Sequence, residues 1–137
     1  MSNINIYFFQ EINNNDFPDS DISVKTKKFG DKYPNNLVTY YCRCMFNNNC
    51  NYTQKIVNNY DQRFGELKEK YKKRGYVLRL PLITFINVAG TIIYLINVHS
   101  PSGKGKQDNR DEFHQILAEI IDKIRCNNNN NNMIIMG

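Results

Sequence analysis

The stretch TIIYLINVHSPSG, residues 91–103, decides the fold. Residues 92–96 are apolar at every position, which is typical of a strand that is covered on both faces in a layered α/β protein. We therefore predict a central strand here. Because side chains alternate along a strand, Asn97 and His99 are expected on the same face, where the strand opens into a polar loop.

Regular elements are predicted on both sides of this strand. Residues 77–88 form a second strand-like run, and Gly90 can take the positive φ of a tight antiparallel hairpin turn. In residues 109–125, apolar side chains recur at i, i+3, i+4, i+7, i+8 and i+11, which predicts an amphipathic helix. Residues 133–136 begin a further strand.

The first half of the chain predicts two strands and one helix. Residues 3–10 and 37–46 are rich in β-branched and aromatic side chains and are expected to be strands. Residues 60–74 carry a narrow apolar stripe that stops at Gly75, as in a helix with a glycine after its last turn. Residues 16–34 mix Pro, Gly, Asp and Ser, so we expect a loop with one short element at most.

Size and charge limit the class of protein. The chain has 137 residues, which is enough for one domain with its own core. Its 18 Lys and Arg against 13 Asp and Glu give a net charge of +5, a weak indication of a polyanionic partner. No apolar run is long enough for a membrane span, and the start lacks the features of a signal peptide. We expect an intracellular protein, and no obligate protein partner follows from the sequence.

The four cysteines do not follow a zinc-binding pattern. Cys42, Cys44 and Cys50 are spaced as C-x-C-x5-C, and Cys126 lies far along the chain. Structural zinc sites usually use paired C-x(2–4)-C or Cys and His pairs, and both histidines are distant in sequence. Reduced thiols are the favoured interpretation.

Three polar side chains stand where strands begin or end. Glu11 follows the first strand and can bind a divalent cation, or else it is an exposed strand-end acid. Arg79 precedes a strand that contains proline and can bind phosphate oxygens, or else it is an ordinary surface arginine. His99 can donate a hydrogen bond to a phosphate or act as a general acid, or else it is structural.

Two familiar motifs are excluded around His99. The loop over residues 100–106 is not a P-loop, because Val98 and Ser100 occupy the two possible positions of its first glycine. Neither Ser100 nor Ser102 lies in a G-x-S-x-G elbow, so an acyl-transfer triad is not expected.

Taken in chain order, these pieces resemble the endonuclease/exonuclease/phosphatase superfamily, the deoxyribonuclease-I-like fold. The resemblance rests on Gln10-Glu11 after an apolar strand, Arg79 before the strand with proline, the segment NVHSPSG, the helix with Arg110 near its start, and the strand that ends in IIMG. It spans nearly the whole chain and is strongest over residues 79–137.

The resemblance implies a metal-dependent phosphoesterase with mixed α and β structure, built as a four-layer αββα sandwich. Glu11 would bind Mg²⁺ or Mn²⁺. His99 would hydrogen-bond the scissile phosphate and assist the leaving group, with Asn97 as a further catalytic residue, and Arg79 would contact the substrate phosphate. The basic charge slightly favours nucleic acid over other phosphoesters such as an inositol phosphate or sphingomyelin.

Residues 1–137 match only part of the family pattern. The upstream strand that ends in Asn, the Asp-x-Asn that follows the IIMG strand, a later Asp and a final Asp-His pair have no counterpart. We expect the N-terminal portion of one domain, inactive as an isolated chain because the catalytic unit is incomplete. We also expect that the second sheet is largely missing and that one face of residues 92–96 is uncovered.

A non-enzymatic module that binds nucleic acid is the alternative. It would use the lysine and arginine run over residues 68–74 together with Lys104, Lys106 and Arg110. Its binding would weaken steeply with salt and would not depend on Mg²⁺.

Overall fold

The structure of the protein, a computed structural model, describes residues 6–12, 23–27, 36–42, 52–57, 62–75, 78–88, 90–101, 107–126 and 132–137. These residues form seven strands and two helices. The strands are β1 (Ile6–Ile12), β2 (Ser23–Lys27), β3 (Asn36–Cys42), β4 (Tyr52–Val57), β5 (Leu82–Val88), β6 (Thr91–Asn97) and β7 (Asn132–Met136), and the helices are α1 (Gln62–Lys73) and α2 (Gln107–Cys126). The chain divides into two compact units. The first holds all of these strands, and the second holds both helices together with Arg79 and His99.

The strands of the first unit form two sheets. In the three-stranded sheet the order is β1-β3-β2, and both pairs are antiparallel. In the four-stranded sheet the order is β4-β5-β6-β7, and only β6 and β7 run parallel. Parallel neighbours need a long crossover connection, and α2 lies between β6 and β7 in the sequence.

The predicted hairpin is confirmed. Strands β5 and β6 pair in antiparallel register along their whole length. Gly90 in the turn has a φ of 86°, a conformation that residues with a side chain rarely adopt. Its N–H donates a hydrogen bond to Asn87 Oδ1 at 3.2 Å. Because β6 has a strand on either side, its central position is also confirmed.

The core of the first unit lies between the two sheets. Tyr41 of β3 forms one cluster with Ile86 of β5 and Leu95 of β6, and all three side chains are almost completely buried. Four partly buried apolar side chains pack against this cluster from both sheets: Ile6, Phe8, Ile93 and Ile135. The two sheets therefore bury a shared apolar face, which is the main source of stability for such an arrangement.

The prediction of an uncovered sheet face is wrong. The three-stranded sheet covers the face of β6 that carries Leu95, whose exposed fraction is 1%. The covering side chains lie on β1 and β3, which were both predicted as strands, but the sequence did not show that these strands pair and pack on β6. Strand β2 pairs with β3, so the two predicted strands β1 and β3 belong to a sheet of three strands.

The second unit is built on contacts between the two helices. The rings of Phe64 on α1 and Phe113 on α2 are 5.4 Å apart and fully buried. At the surface, the Arg63 guanidinium forms an ion pair with the carboxylate of Glu119. The aromatic contact stabilises the packing of the two helices, and the exposed charge pair at its rim adds little.

Both predicted helices are confirmed. The buried residues of α1 include Leu67 and Tyr71, four positions apart on one face, as the apolar stripe predicted. After the last turn, Gly75 has a φ of 77°, the left-handed conformation that often ends a helix. In the part of the chain that the structure describes, neither helix has both the length and the apolar composition that a membrane span requires.

The structure is a mixed α and β protein, as expected, but one strand begins later than predicted and another was not predicted. Strand β5 begins at Leu82 rather than at residue 77, because Pro81 has no N–H for a sheet ladder. Strand β4 was not predicted at all. Its sequence, YTQKIV, alternates polar and apolar residues only in part, so its pattern is weak.

We expect that Leu95→Ala lowers the free energy of unfolding by about 2 to 5 kcal/mol, because it leaves a cavity between the two sheets. The exposed substitution Thr91→Ala in the same strand should cost less than about 1 kcal/mol. Urea denaturation followed by circular dichroism measures both. Equal losses for the two variants would show that the face of β6 is not covered.

Candidate functional site

The carboxyl ends of β1, β6 and β7 meet at one rim of the first unit. Gln10 of β1 donates a hydrogen bond from Nε2 to Asn97 Oδ1 of β6 at 2.8 Å. Phe8 of β1 packs against Gly137, the residue after β7, so closely that a Cβ on Gly137 would overlap its ring. Gln10, Asn97 and Gly137 therefore lie at the same rim, as well as in one sequence pattern.

Asn97 is the centre of this rim. Its side chain is fully buried, and its Nδ2 donates hydrogen bonds to the carbonyl oxygens of Phe9 at 3.1 Å and Val38 at 2.9 Å. Its Oδ1 accepts the bond from Gln10. One side chain of the four-stranded sheet thus satisfies polar groups on two strands of the other sheet. Buried amides that are bonded in this way specify how the surrounding elements pack.

Strand β1 carries a β-bulge at the same rim. Phe9 is paired with Val38, whereas Ile12 is paired with Asn36, so β1 has one more residue than β3 over this interval. The two positions between the pairs are Gln10 and Glu11. Bulges are common next to active sites, where they redirect the strand and its side chains.

Strand β7 continues its ladder with β6 as far as Gly137. The N–H of Gly137 donates to the carbonyl of Ile96 at 3.0 Å, and the N–H of Val98 donates to the carbonyl of Gly137 at 2.8 Å. These two bonds hold the end of β7 beside the end of β6. The missing Cβ at residue 137 lets Phe8 of the opposite sheet approach this end.

The four residues predicted for the site are distributed over both units. Asn97 and Glu11 belong to the first unit, and Glu11 is the neighbour of Gln10 along β1; its side chain lies outside the described part of the structure. Arg79 and His99 belong to the second unit, and both are half-buried. The structure thus brings the β1 and β6 positions together at one rim. That Arg79 and His99 also lie at this rim stays a prediction.

A hydrogen bond that the sequence did not indicate holds the loop after His99. Ser100 Oγ lies 2.8 Å from His114 Nε2 on α2, within the second unit. This contact ties the residue next to His99 to the second turn of the long helix. Fourteen residues separate the two partners, so no local pattern identifies the pair.

Burial raises the pKa of the Tyr71 hydroxyl. The nearby positive charges of Arg110 and Arg74 oppose this effect and lower the pKa, and the carboxylate of Glu112 adds to it. Desolvation is the largest of these influences, so the pKa of Tyr71 lies above its usual value of 10.0.

The described side chains do not form a ready-made metal site. No group of three or more His, Cys, Asp or Glu side chains lies together among them. Of the cysteines considered for zinc, Cys44 and Cys50 fall outside the described residues, and Cys126 is an exposed free thiol. Lys104 and Lys106, considered for nucleic acid, also lie outside the described residues.

Comparisons with models of known protein families, with curated proteins and with solved structures gave no match to this chain.

We expect that Asn97→Leu lowers the free energy of unfolding by about 2 to 5 kcal/mol, because it leaves two buried carbonyls and one amide without their partner. Gln10→Leu removes one bond of the same network and should cost about 1 to 2 kcal/mol. Urea denaturation of both variants gives the comparison. A smaller loss for Asn97→Leu than for Gln10→Leu would show that the amide does not join the sheets.

The raised pKa of Tyr71 predicts a loss of stability in alkali. Because the unfolded chain gives up this proton first, the contribution of Tyr71 is complete below about pH 10 and is lost as the pH rises through the pKa of the folded protein. Urea denaturation at a series of alkaline pH values should therefore show a shallower decline for Tyr71→Phe than for the unaltered protein. Identical declines would contradict the prediction.

Proposed function

We propose that this chain carries the metal-binding and phosphate-binding part of a deoxyribonuclease-I-like phosphoesterase, a member of the endonuclease/exonuclease/phosphatase superfamily. The observation that supports the proposal is the convergence of β1, β6 and β7 at one rim through the Gln10 to Asn97 hydrogen bond and the close approach of Phe8 to Gly137. Under this proposal the two packed sheets are the inner layers of a four-layer αββα sandwich.

Glu11 is the proposed ligand of a divalent cation. Mg²⁺ and Mn²⁺ prefer hard oxygen ligands, and Mg²⁺ commonly takes one or two protein carboxylates and fills its other positions with water and phosphate oxygens. A carboxylate at the β1 bulge suits this chemistry. One carboxylate is still an incomplete site, so no reaction step is assigned to the ion.

His99 and Arg79 are the proposed phosphate contacts. An imidazole can donate a hydrogen bond to a phosphate oxygen or a proton to a leaving group, and a guanidinium can bind two phosphate oxygens through its planar fork. The bond from Ser100 to His114 limits the freedom of the loop that carries His99.

Asn97 is proposed as a positioning residue. All of its donors are used on the carbonyls of Phe9 and Val38, so it has none to offer a substrate. Both carbonyl partners flank the bulge that carries Glu11. By holding Phe9 and Gln10 in place, Asn97 would fix the backbone from which the proposed cation ligand projects.

The proposed substrate is nucleic acid, because a protein with net charge +5 attracts a polyanion. The isolated chain is not expected to turn this substrate over. Members of a catalytic unit act together, and loss of some of them removes most of the rate enhancement.

Paramagnetic Mn²⁺ tests the cation site directly. In NMR spectra of the labelled chain, Mn²⁺ should broaden the backbone amide signals of Glu11, Ile12 and Val98 before all others. Glu11→Gln should weaken this effect by at least about tenfold in Mn²⁺ concentration, since even outer partners of a metal ligand contribute that much. Glu69→Gln, the same change of charge on an exposed position of α1, should leave it unaltered.

Two results, one from this experiment and one from a DNA-binding assay, would contradict the proposal. Broadening that is the same in Glu11→Gln would show that the cation binds elsewhere. Binding of DNA that falls steeply with salt and ignores Mg²⁺ and Glu11 would favour the non-enzymatic module instead. Mg²⁺-dependent nicking of plasmid DNA that Glu11→Ala abolishes would support the family and overturn the expected inactivity of the chain.

A further inference from the structure

We propose that the outer face of the three-stranded sheet binds single-stranded nucleic acid by stacking with its bases. The inference goes beyond the proposed function and does not rest on it, because it needs neither Glu11 nor a cation. A complete layer of helices over this face would exclude nucleic acid, so binding here would argue against that layer but not against the cation site.

Three aromatic residues share this outer face. Phe8 of β1 and Tyr41 of β3 belong to the core between the two sheets. Because side chains alternate along a strand, Tyr7, Phe9 and Tyr40 lie on the opposite face of the same two strands. A sheet face that meets only water usually carries polar side chains. An aromatic face beside positive charge is instead typical of surfaces that bind single strands.

The three rings are arranged so that a further ring can stack on them. The rings of Tyr7 and Phe9 are nearly parallel, with 10° between their planes and 5.7 Å between their centroids. The ring of Tyr40 on the neighbouring strand is centred 6.4 Å from that of Tyr7 and tilted by 56°. Tyr7 is 45% exposed, so a flat base can extend the stack that it forms with Phe9.

The register of β2 adds positive charge to this face. Strand β2 pairs Lys25 with Tyr40 and Lys27 with Val38. Residues opposite each other in a ladder share a face, so two lysine positions border the aromatic residues. An apolar partner on this face would have to remove ammonium groups from water at a cost in free energy, whereas phosphates pair with them. The net charge of +5 favours a polyanion in the same way.

A single strand fits this face better than a duplex does. The bases of a duplex are stacked on one another, whereas those of a single strand can splay onto aromatic side chains. Two lysine contacts predict a shallow salt dependence, with a slope of about −1.4 for the logarithm of the binding constant against that of salt. The five basic residues of the run over residues 68–74 would give about −3.5 instead.

Fluorescence anisotropy with labelled oligothymidylate and oligouridylate of about ten nucleotides tests the proposal in the presence of EDTA. The chain should bind at least one of them, and more tightly than duplex DNA of the same length. Tyr7→Ala should weaken this binding by at least about fivefold, whereas Tyr7→Phe, which keeps the ring, should stay within about twofold. Met133→Ala removes a similarly exposed apolar side chain from the other sheet and should change nothing.

The salt dependence separates this face from the basic run on α1. Lys25→Gln should make the slope shallower by about 0.7, and Lys72→Gln, at an exposed position of α1, should leave it unaltered. The reverse result would assign binding to the basic run and overturn the proposal. Absence of binding, tighter binding of the duplex, or equal losses in Tyr7→Ala and Tyr7→Phe would overturn it as well.

NMR spectra of the unaltered chain give a test that needs no variant. The ring signals of Tyr7 should shift as oligothymidylate or oligouridylate is added, because a base that stacks on the ring changes its magnetic surroundings. This measurement decides if Tyr7→Ala does not fold. Ring signals that stay in place while the oligonucleotide binds would show that it binds elsewhere and would overturn the proposal.

Discussion

The buried amide of Asn97 is the contact on which the candidate site depends. It stands at the end of the central strand of one sheet and bonds to β1 and β3 of the other. The apolar cluster around Tyr41 and Leu95 brings the sheets together, but apolar contacts tolerate small slips between facing surfaces. Directional bonds to two carbonyls and one amide allow a single alignment. The bulge at Gln10 and Glu11 therefore has a fixed place relative to the ends of β6 and β7.

Much of this fold is visible in the sequence because its signals are local. The hairpin follows from two apolar runs around Gly90, and α2 follows from its helical periodicity. The apolar run of residues 92–96 also predicts a strand covered on both faces, although the partial match to the family pattern predicted an uncovered face. Strands β2 and β4 do not follow from the sequence, since β2 has the composition of a loop and β4 has a weak pattern. Their assignment as strands depends on partners elsewhere in the chain, and a local pattern does not reveal those partners.

The candidate site shows the same difference between what local sequence signals reveal and what depends on distant parts of the chain. Residue types and their order along the chain single out Glu11, Arg79, Asn97 and His99. The sequence suggests a catalytic role for Asn97, whereas the structure shows an amide whose donors are used within the protein. Its partners lie 59 to 88 positions away in the sequence, so only the folded chain brings them together. For Asn97, the structure therefore shows which groups its side chain bonds, and the roles of Glu11, Arg79 and His99 stay predictions.

The crossover between β6 and β7 has a consequence for the order in which the molecule assembles. The β5 and β6 hairpin joins residues that are close along the chain, so it can form early. Strand β7 can join only after the chain has travelled through the whole of α2 and returned in the parallel direction. Closing such a long loop is slow, because its entropic cost precedes the gain from pairing. The rim where β1, β6 and β7 meet is therefore among the last parts of the protein to be completed, and a newly made chain exposes β6 to other partners until then.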